Sequence, residues 1–255
     1  MATFRLVYKL AGLAFIQLLA GLLGWIVVIV LYPFRSARLA MITRVMRLWG
    51  QMSCLLLNIR IQREGCPSRA NQGALIVANH IGAVDIFVVA ACFKIFFVSK
   101  SDIESWPVIG PLNRLGGTIF IDRSKRTKVL AMVQELADRL RSGFSVLVFP
   151  EGGVSLGHQV GPFKSSAFES VVQAKCSVVP VMIRYYDAGE PSVVSWPDKM
   201  TFWEHVKGVL KHPRLNVRVC VLPPVDGEGD RRAFAEKSRK LISDQFEATR
   251  NAREK

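Results

Sequence analysis

ALIVANHIGAVDIFVVAACF, residues 74–93, is an apolar run that breaks at a polar turn and resumes as a second apolar run. The first five residues, ALIVA (74–78), are short and rich in aliphatic side chains, as a buried strand is. From Asp85 onward the run has the length of a helix and opens on an acidic residue, which suits the positive end of a helix dipole. Strand, turn and helix in that order make one βα unit, and open α/β sheets bind their ligands at the carboxyl ends of such strands. Asn79, His80 and Asp85 fall at that place. An imidazole there can move a proton near neutral pH, and a carboxylate on its other ring nitrogen would fix the tautomer and stabilise the cation. The same residues also serve as punctuation, His80 in a turn and Asp85 as a helix N-cap. Spacing alone leaves both readings open.

The alternation continues outward from this unit. IFFV (95–98), TIFI (118–121), SVLVF (145–149), VVPVMI (178–183) and LNVRVCVL (215–222) read as further strands. Residues 125–142 carry helical periodicity and stop at Gly143, and 230–247 set Phe234, Leu241, Ile242 and Phe246 on one helical face. The expected fold class is α/β, a mixed sheet flanked by helices on both faces. No repeat or linker divides residues 61–255, which read as one domain behind an anchoring segment, residues 1–60.

Residues 10–32 hold one strongly polar side chain, Gln17, and no charge, enough to cross about 30 Å of hydrocarbon as a helix. The run is too long for a cleaved signal and is followed by Arg35 and Arg38. It either spans the bilayer or turns back within one leaflet. Residues 36–57 place Leu39, Ile42, Val45, Met46, Trp49, Met52 and Leu56 at helical spacing among Arg38, Arg44 and Arg47, a pattern shared by an interfacial helix and a core helix. Arginine is denser after the span than before it, so the domain is expected at the cytoplasmic face of the membrane.

Lysine and arginine outnumber acids 34 to 20, a net charge of +14 that calls for an anionic partner. No zinc finger or RNA-recognition signature accompanies it, so the charge reads as lipid contact and no nucleic acid is expected. Five scattered cysteines give neither a disulfide framework nor a metal site, and fit a reducing compartment.

Two more strand ends carry polar clusters. FPEGGVS (149–155) sets Glu151 beside Gly152 and Gly153, whose backbone can approach a ligand closely; the plainer reading is a glycine turn with a solvated glutamate. FIDRSKR (120–126) offers Arg123 as a phosphate fork, with Lys125 and Arg126 read as a solvated run.

The order NHIGAVD, FIDRSK, FPEGGVS and VVPVMI, with four residues between His80 and Asp85, resembles the 1-acylglycerol-3-phosphate acyltransferase family over most of residues 74–183. The resemblance implies a membrane-attached O-acyltransferase that moves a fatty acyl group from an acyl-CoA or acyl carrier protein thioester to a lysolipid hydroxyl, giving phosphatidate when the acceptor is 1-acylglycerol-3-phosphate. It makes His80 the general base, Asp85 its orienter, Arg123 a contact of the acceptor phosphate and Glu151 with Gly152 the start of the third motif. Pro180 falls in the fourth motif, associated with the substrate pocket, and Lys100 and Lys164 look like further basic positions near the headgroup. Such chemistry calls for no metal and no cofactor beyond the thioester co-substrate. Backbone amides near Gly152 and Gly153 are the candidate oxyanion donors. The family usually has an arginine where this chain has Val154, which opens lyso-ornithine lipid or another lysophospholipid as acceptor. GHQVGPFKSSAF (157–168) and SWPDKMTFW (195–203) are similar to the ornithine-lipid O-acyltransferase branch.

Two rivals remain. GVSLG (153–157) matches the G-x-S-x-G elbow of serine hydrolases, with Asp187 or Asp198 and His205 or His212 downstream, but Ser155 trails its strand by several residues. A non-catalytic membrane scaffold is the other.

Overall fold

The structure is a computed structural model that describes residues 1–66, 70, 72–122, 126–155, 157–186, 192–197, 199–227 and 229–251. Seven strands form one mixed sheet. They are β1 (Ile59–Glu64), β2 (Leu75–Ala78), β3 (Ile95–Lys100), β4 (Ile119–Ile121), β5 (Ser145–Val148), β6 (Val178–Tyr185) and β7 (Leu215–Val221), in the spatial order β1-β7-β6-β2-β5-β3-β4. From β6 to β4 all neighbours run parallel, while β7 lies antiparallel to β6 and carries β1 parallel to itself. The central strands β2, β5 and β6 are buried at every position, which is why they read as unbroken aliphatic runs. All six expected strands are present. The seventh, β1, has the sequence IRIQRE and was not expected: it is an edge strand with Ile59 buried and Arg60, Gln62 and Arg63 exposed, too polar to announce itself.

Helices cover both faces. On one side α3 (Asp85–Cys92), α8 (Phe202–Lys211) and the end of α2 (Arg35–Leu57) enclose Ile76, Val88, Phe93, Val181 and Val209. On the other, α6 (Arg126–Arg141), α7 (Glu169–Ala174) and α9 (Arg231–Asn251) enclose Leu75, Leu136, Phe168, Met182 and Phe246. Two short helices, α4 (Ser101–Glu104) and α5 (Ile109–Leu115), connect β3 to β4.

Of the two readings of residues 36–57, the structure selects the core helix for one face. Gly50 of α2 sits so close to α3 that an added Cβ would meet the Ala91 nitrogen at 2.5 Å and the Ala90 Cβ at 2.6 Å. Leu48, Met52 and Leu55 remain exposed on its other side.

The first helix, α1 (Ala2–Val30), is long and apolar enough to cross a membrane. It folds back along the domain. Near its start, Lys9 is 1% exposed and its ammonium donates to the Leu57 carbonyl at 3.1 Å and the His212 carbonyl at 2.7 Å, closing the ends of α2 and α8. Midway, Trp49 Nε1 donates to Gln17 Oε1 at 2.8 Å. Near its end, Gly21 and Gly24 abut Leu112 and Leu115 of α5. Both ends of α1 therefore rest on one domain, and Phe15, Leu18, Leu22, Trp25 and Ile29 stay exposed along it.

Candidate active site

Parallel order gathers the motifs. The carboxyl ends of β2, β5, β3 and β4 lie side by side on one rim of the sheet, so the segments beginning at Asn79, Phe149, Ser101 and Asp122 share that rim. Asn79 fixes the corner. Its Nδ2 donates to the Ile183 carbonyl at 2.9 Å and its Oδ1 accepts from the Ile183 amide at 2.8 Å, extending the β2–β6 ladder one step past Ala78.

His80 then turns onto Asp85, with Nδ1 and Oδ2 2.8 Å apart. Asp85 is fully buried, and Oδ2 also accepts from the amides of Ile81 at 2.6 Å and Gly82 at 3.0 Å. These bonds exclude the N-cap reading of Asp85. Asp85 is the first residue of α3 and not its cap: the carboxylate bends back over the turn, and Val84 occupies the N-cap position without a side-chain bond. Tyr185 completes the carboxylate by donating its hydroxyl to Oδ1 at 2.8 Å. Burial, then the Asp85 charge, pushes the Tyr185 phenol well above its ordinary range, so it stays a donor. An acceptor-only carboxylate ringed by donors leaves Nδ1 to carry the imidazole proton and Nε2 with the lone pair.

Three aromatic and imidazole groups hold this turn, among them His205, which the sequence offered only as a member of the hydrolase alternative. Phe149, the first residue after β5, stacks on the His80 ring with centroids 4.0 Å apart and planes within 12°. His205, 1% exposed, accepts the Ala83 amide on Nε2 at 3.4 Å, and burial lowers its pKa so that the accepting lone pair is retained. Trp196 stacks on His205 with centroids 5.0 Å apart. Aromatic flanks one residue past a strand end were the one available signal for Phe149.

Glu151 lies in the same corner. It is not the solvated glutamate of a plain glycine turn: desolvation raises its carboxyl to about 7, against main-chain amides of Gly161 and His80 that favour the charged form. Its Oε1 is buried with no hydrogen-bond partner among the described residues. The loop is tied to the His80 turn by the Ser155 amide, which donates to the His80 carbonyl at 2.7 Å. Gly152, at a φ of 78°, closes a turn by giving its amide to the Phe149 carbonyl at 3.2 Å, so that amide is committed to the turn. Gly153 faces open space, with nothing within 4 Å of an added Cβ.

The remaining expected residues are more dispersed. Lys100 ends β3, is exposed and pairs in register with Ile121, the residue before Asp122. Lys164 is exposed, and its amide donates to the Pro150 carbonyl at 2.9 Å. Pro180 is buried within β6, opposite Val77, inside the sheet and away from the rim. Arg123 lies outside the described residues, as do Asp187 and Asp198 of the hydrolase reading. Among the described residues no helix begins at Ser155 and the next helical turn starts at Ser166, so the strand–turn–helix context of a nucleophile elbow is not met there. Among the described residues no cluster of His, Cys, Asp and Glu could hold a metal ion.

Residues 58–184 match the Acyltransferase family. The chain is 34% identical over 188 residues to the lyso-ornithine lipid O-acyltransferase of Brucella abortus, covering 68% of each chain. It is 31% identical over 201 residues to the 1-acyl-sn-glycerol-3-phosphate acyltransferase of Neisseria meningitidis, covering 76% of each. In fold it superposes on the 1-acyl-sn-glycerophosphate (LPA) acyltransferase PlsC of Thermotoga maritima with a TM-score of 0.71 over 98% of both chains, at 19% identity. By its sequence relatives, and with the motif residues His80 and Asp85 in contact, this chain belongs to the acyltransferase family and is an enzyme of that class.

Proposed function

We propose that this enzyme carries a fatty acyl group from a thioester, acyl-CoA or acyl carrier protein, to the hydroxyl of a lysolipid, with His80 as the base. The His80–Asp85 contact of 2.8 Å at the strand end carries the reading. The Nε2 lone pair takes the hydroxyl proton, the oxygen adds to the thioester carbonyl, and the developing imidazolium is offset by the buried Asp85 carboxylate. The tetrahedral oxyanion collapses, the carbon–sulfur bond breaks, and His80 returns the proton to the departing thiolate. Products are an ester and a thiol. A thioester is already activated, so a positioned base and one or two oxyanion donors suffice. With the Gly152 amide committed to its turn, Gly153 is the donor assigned from that loop.

One residue sets two acceptors against each other. For 1-acylglycerol-3-phosphate, Arg123, Lys100 and Lys164 provide the charge that a phosphate needs. Val154 supplies none. A lyso-ornithine lipid instead carries an ammonium, and the buried Oε1 of Glu151 suits that cation better than a second anion. Residues 61–255 carry the chemistry, while α1 lies within one leaflet, because both its ends rest on the domain. The domain is assigned to the cytoplasmic side by its arginine bias.

The test feeds labelled acyl-CoA and acyl carrier protein to membranes containing the enzyme, against lysophosphatidate, lyso-ornithine lipid and zwitterionic lysophospholipids. His80→Ala should abolish transfer to every acceptor while the protein stays membrane-bound, and Ser155→Ala should keep most of the turnover. Ester hydrolysis that depends on Ser155, or wild-type transfer by His80→Ala, would overturn the assignment.

A further inference from the structure

The tryptophan-rich stretch SWPDKMTFW (195–203) supplies no reacting group to the chemistry above beyond the support that Trp196 gives His205, yet it builds a surface of its own. It leads into α8, where Phe202 meets Trp106, from the turn before α5, edge-on with centroids 5.5 Å apart. Phe202 also stands 5.5 Å from Trp196. Around this ladder Trp106, Val108, Met200, Phe202 and Trp203 remain exposed, Val108 by 62% and Trp203 by 45%. Exposed apolar side chains gathered around an aromatic ladder mark a binding surface.

Val108 strengthens the case. Its φ is 67°, in the left-handed region that β-branched residues avoid, and the conformation leaves its side chain on the outside of the protein. Strained backbone holding an apolar side chain away from the core points to an external apolar partner. Two observations identify that partner as lipid. First, the patch shares its supports with α1: the helix rests on α5 through Gly21 and Gly24 and on the far end of α8 through Lys9 and the Arg5–Lys211 bond, while the patch occupies the near ends of the same two helices. Second, the patch joins indole rings to a cation, with Lys207 Nζ 5.3 Å from the Trp203 ring, the composition of a membrane–water interface.

We infer that Trp106, Val108, Phe202 and Trp203 enter the interfacial layer of a phospholipid bilayer, forming a second membrane contact beside α1. The inner end of the ladder is Trp196 on His205, which holds the Ala83 amide in the catalytic turn. The surface that meets lipid is thus built onto the turn that carries His80, and its seating sets the depth of His80 relative to the acceptor.

The experiment measures partition into phosphatidylcholine–phosphatidylglycerol vesicles, with no turnover required, so its outcome is independent of the acyl-transfer reading. Val108→Gly relieves the left-handed strain and removes the side chain: its Tm should rise while partition falls about tenfold, the transfer of one valine from an apolar layer. Trp203→Ser should weaken partition at least as much. In a Trp25→Phe background, bromine-labelled phosphatidylcholine should quench emission that is lost on further replacing Trp106 and Trp203 by phenylalanine. Unchanged partition in both patch variants, or emission from Trp106 and Trp203 that bromolipid leaves untouched in vesicle-bound protein, would overturn the inference. So would a dimer that Trp203→Ser dissociates while vesicle binding persists, because a second copy would then cover the patch.

Discussion

Tyr185, the last residue of β6, shares the Asp85 carboxylate with His80: its hydroxyl donates to Oδ1 at 2.8 Å while Oδ2 faces the imidazole. The bond reaches across a hundred residues of chain and joins β6 to the His80–Asp85 pair. Tyr185→Phe leaves Oδ1 buried and unpaired, which should cost about 1–3 kcal/mol of stability. Because the carboxylate loses a partner that fixes its orientation toward His80, kcat should fall roughly tenfold with KM little changed. Steady-state kinetics and urea denaturation on the purified variant read the two effects separately.

Burial raises the Glu151 carboxyl to about 7 from an ordinary value of 4.5. The folded chain thus keeps a proton that the unfolded chain releases, and wild-type stability should decline as pH climbs from the unfolded value to the folded one, then level off. Glu151→Gln cannot ionise. Relative to wild type it should gain on the order of 3 kcal/mol at pH 8 and little at pH 4.5, read from denaturant midpoints at the two pH values.

Gly82 and Gly153 both flank the site and should respond oppositely to alanine. A Cβ on Gly82 would meet the Val194 carbonyl oxygen at 2.0 Å and His205 Cε1 at 3.1 Å, so the turn must shift and the Ile81 and Gly82 amides must leave Asp85. Loss of about 1–3 kcal/mol and near-complete loss of transfer are expected for Gly82→Ala. Gly153→Ala keeps its amide and meets nothing within 4 Å, so thermal stability should match wild type.

Lys9 is the only charged side chain among the fully buried residues of α1, and it closes the carbonyl ends of two other helices. Lys9→Met fills similar volume without donating. Both carbonyls then lose a charged partner, and a stability loss of about 2–3 kcal/mol is expected from calorimetry.

Six of the seven strands, the helices α3 (Asp85–Cys92), α6 (Arg126–Arg141) and α9 (Arg231–Asn251) and the His80–Asp85 pair were legible in the residues alone, because β and helical periodicities are local and the rim of a parallel sheet is where polar residues can follow aliphatic runs, whereas the short α4, α5 and α7 and the helix α8 were not. The sequence also carried the family in the order of its four motifs. The rest depends on contacts between segments distant along the chain. IRIQRE has too few apolar positions to be read as a strand until β7 offers its backbone, and Tyr185, Phe149 and His205 reach the site through pairing and stacking between segments far apart in sequence. The apolar face of α1 reads the same whether lipid or protein covers it. It took the buried Lys9 and the close approach of Gly21 and Gly24 to α5 to show that the helix lies along the domain, since periodicity records that a face is buried and not what buries it.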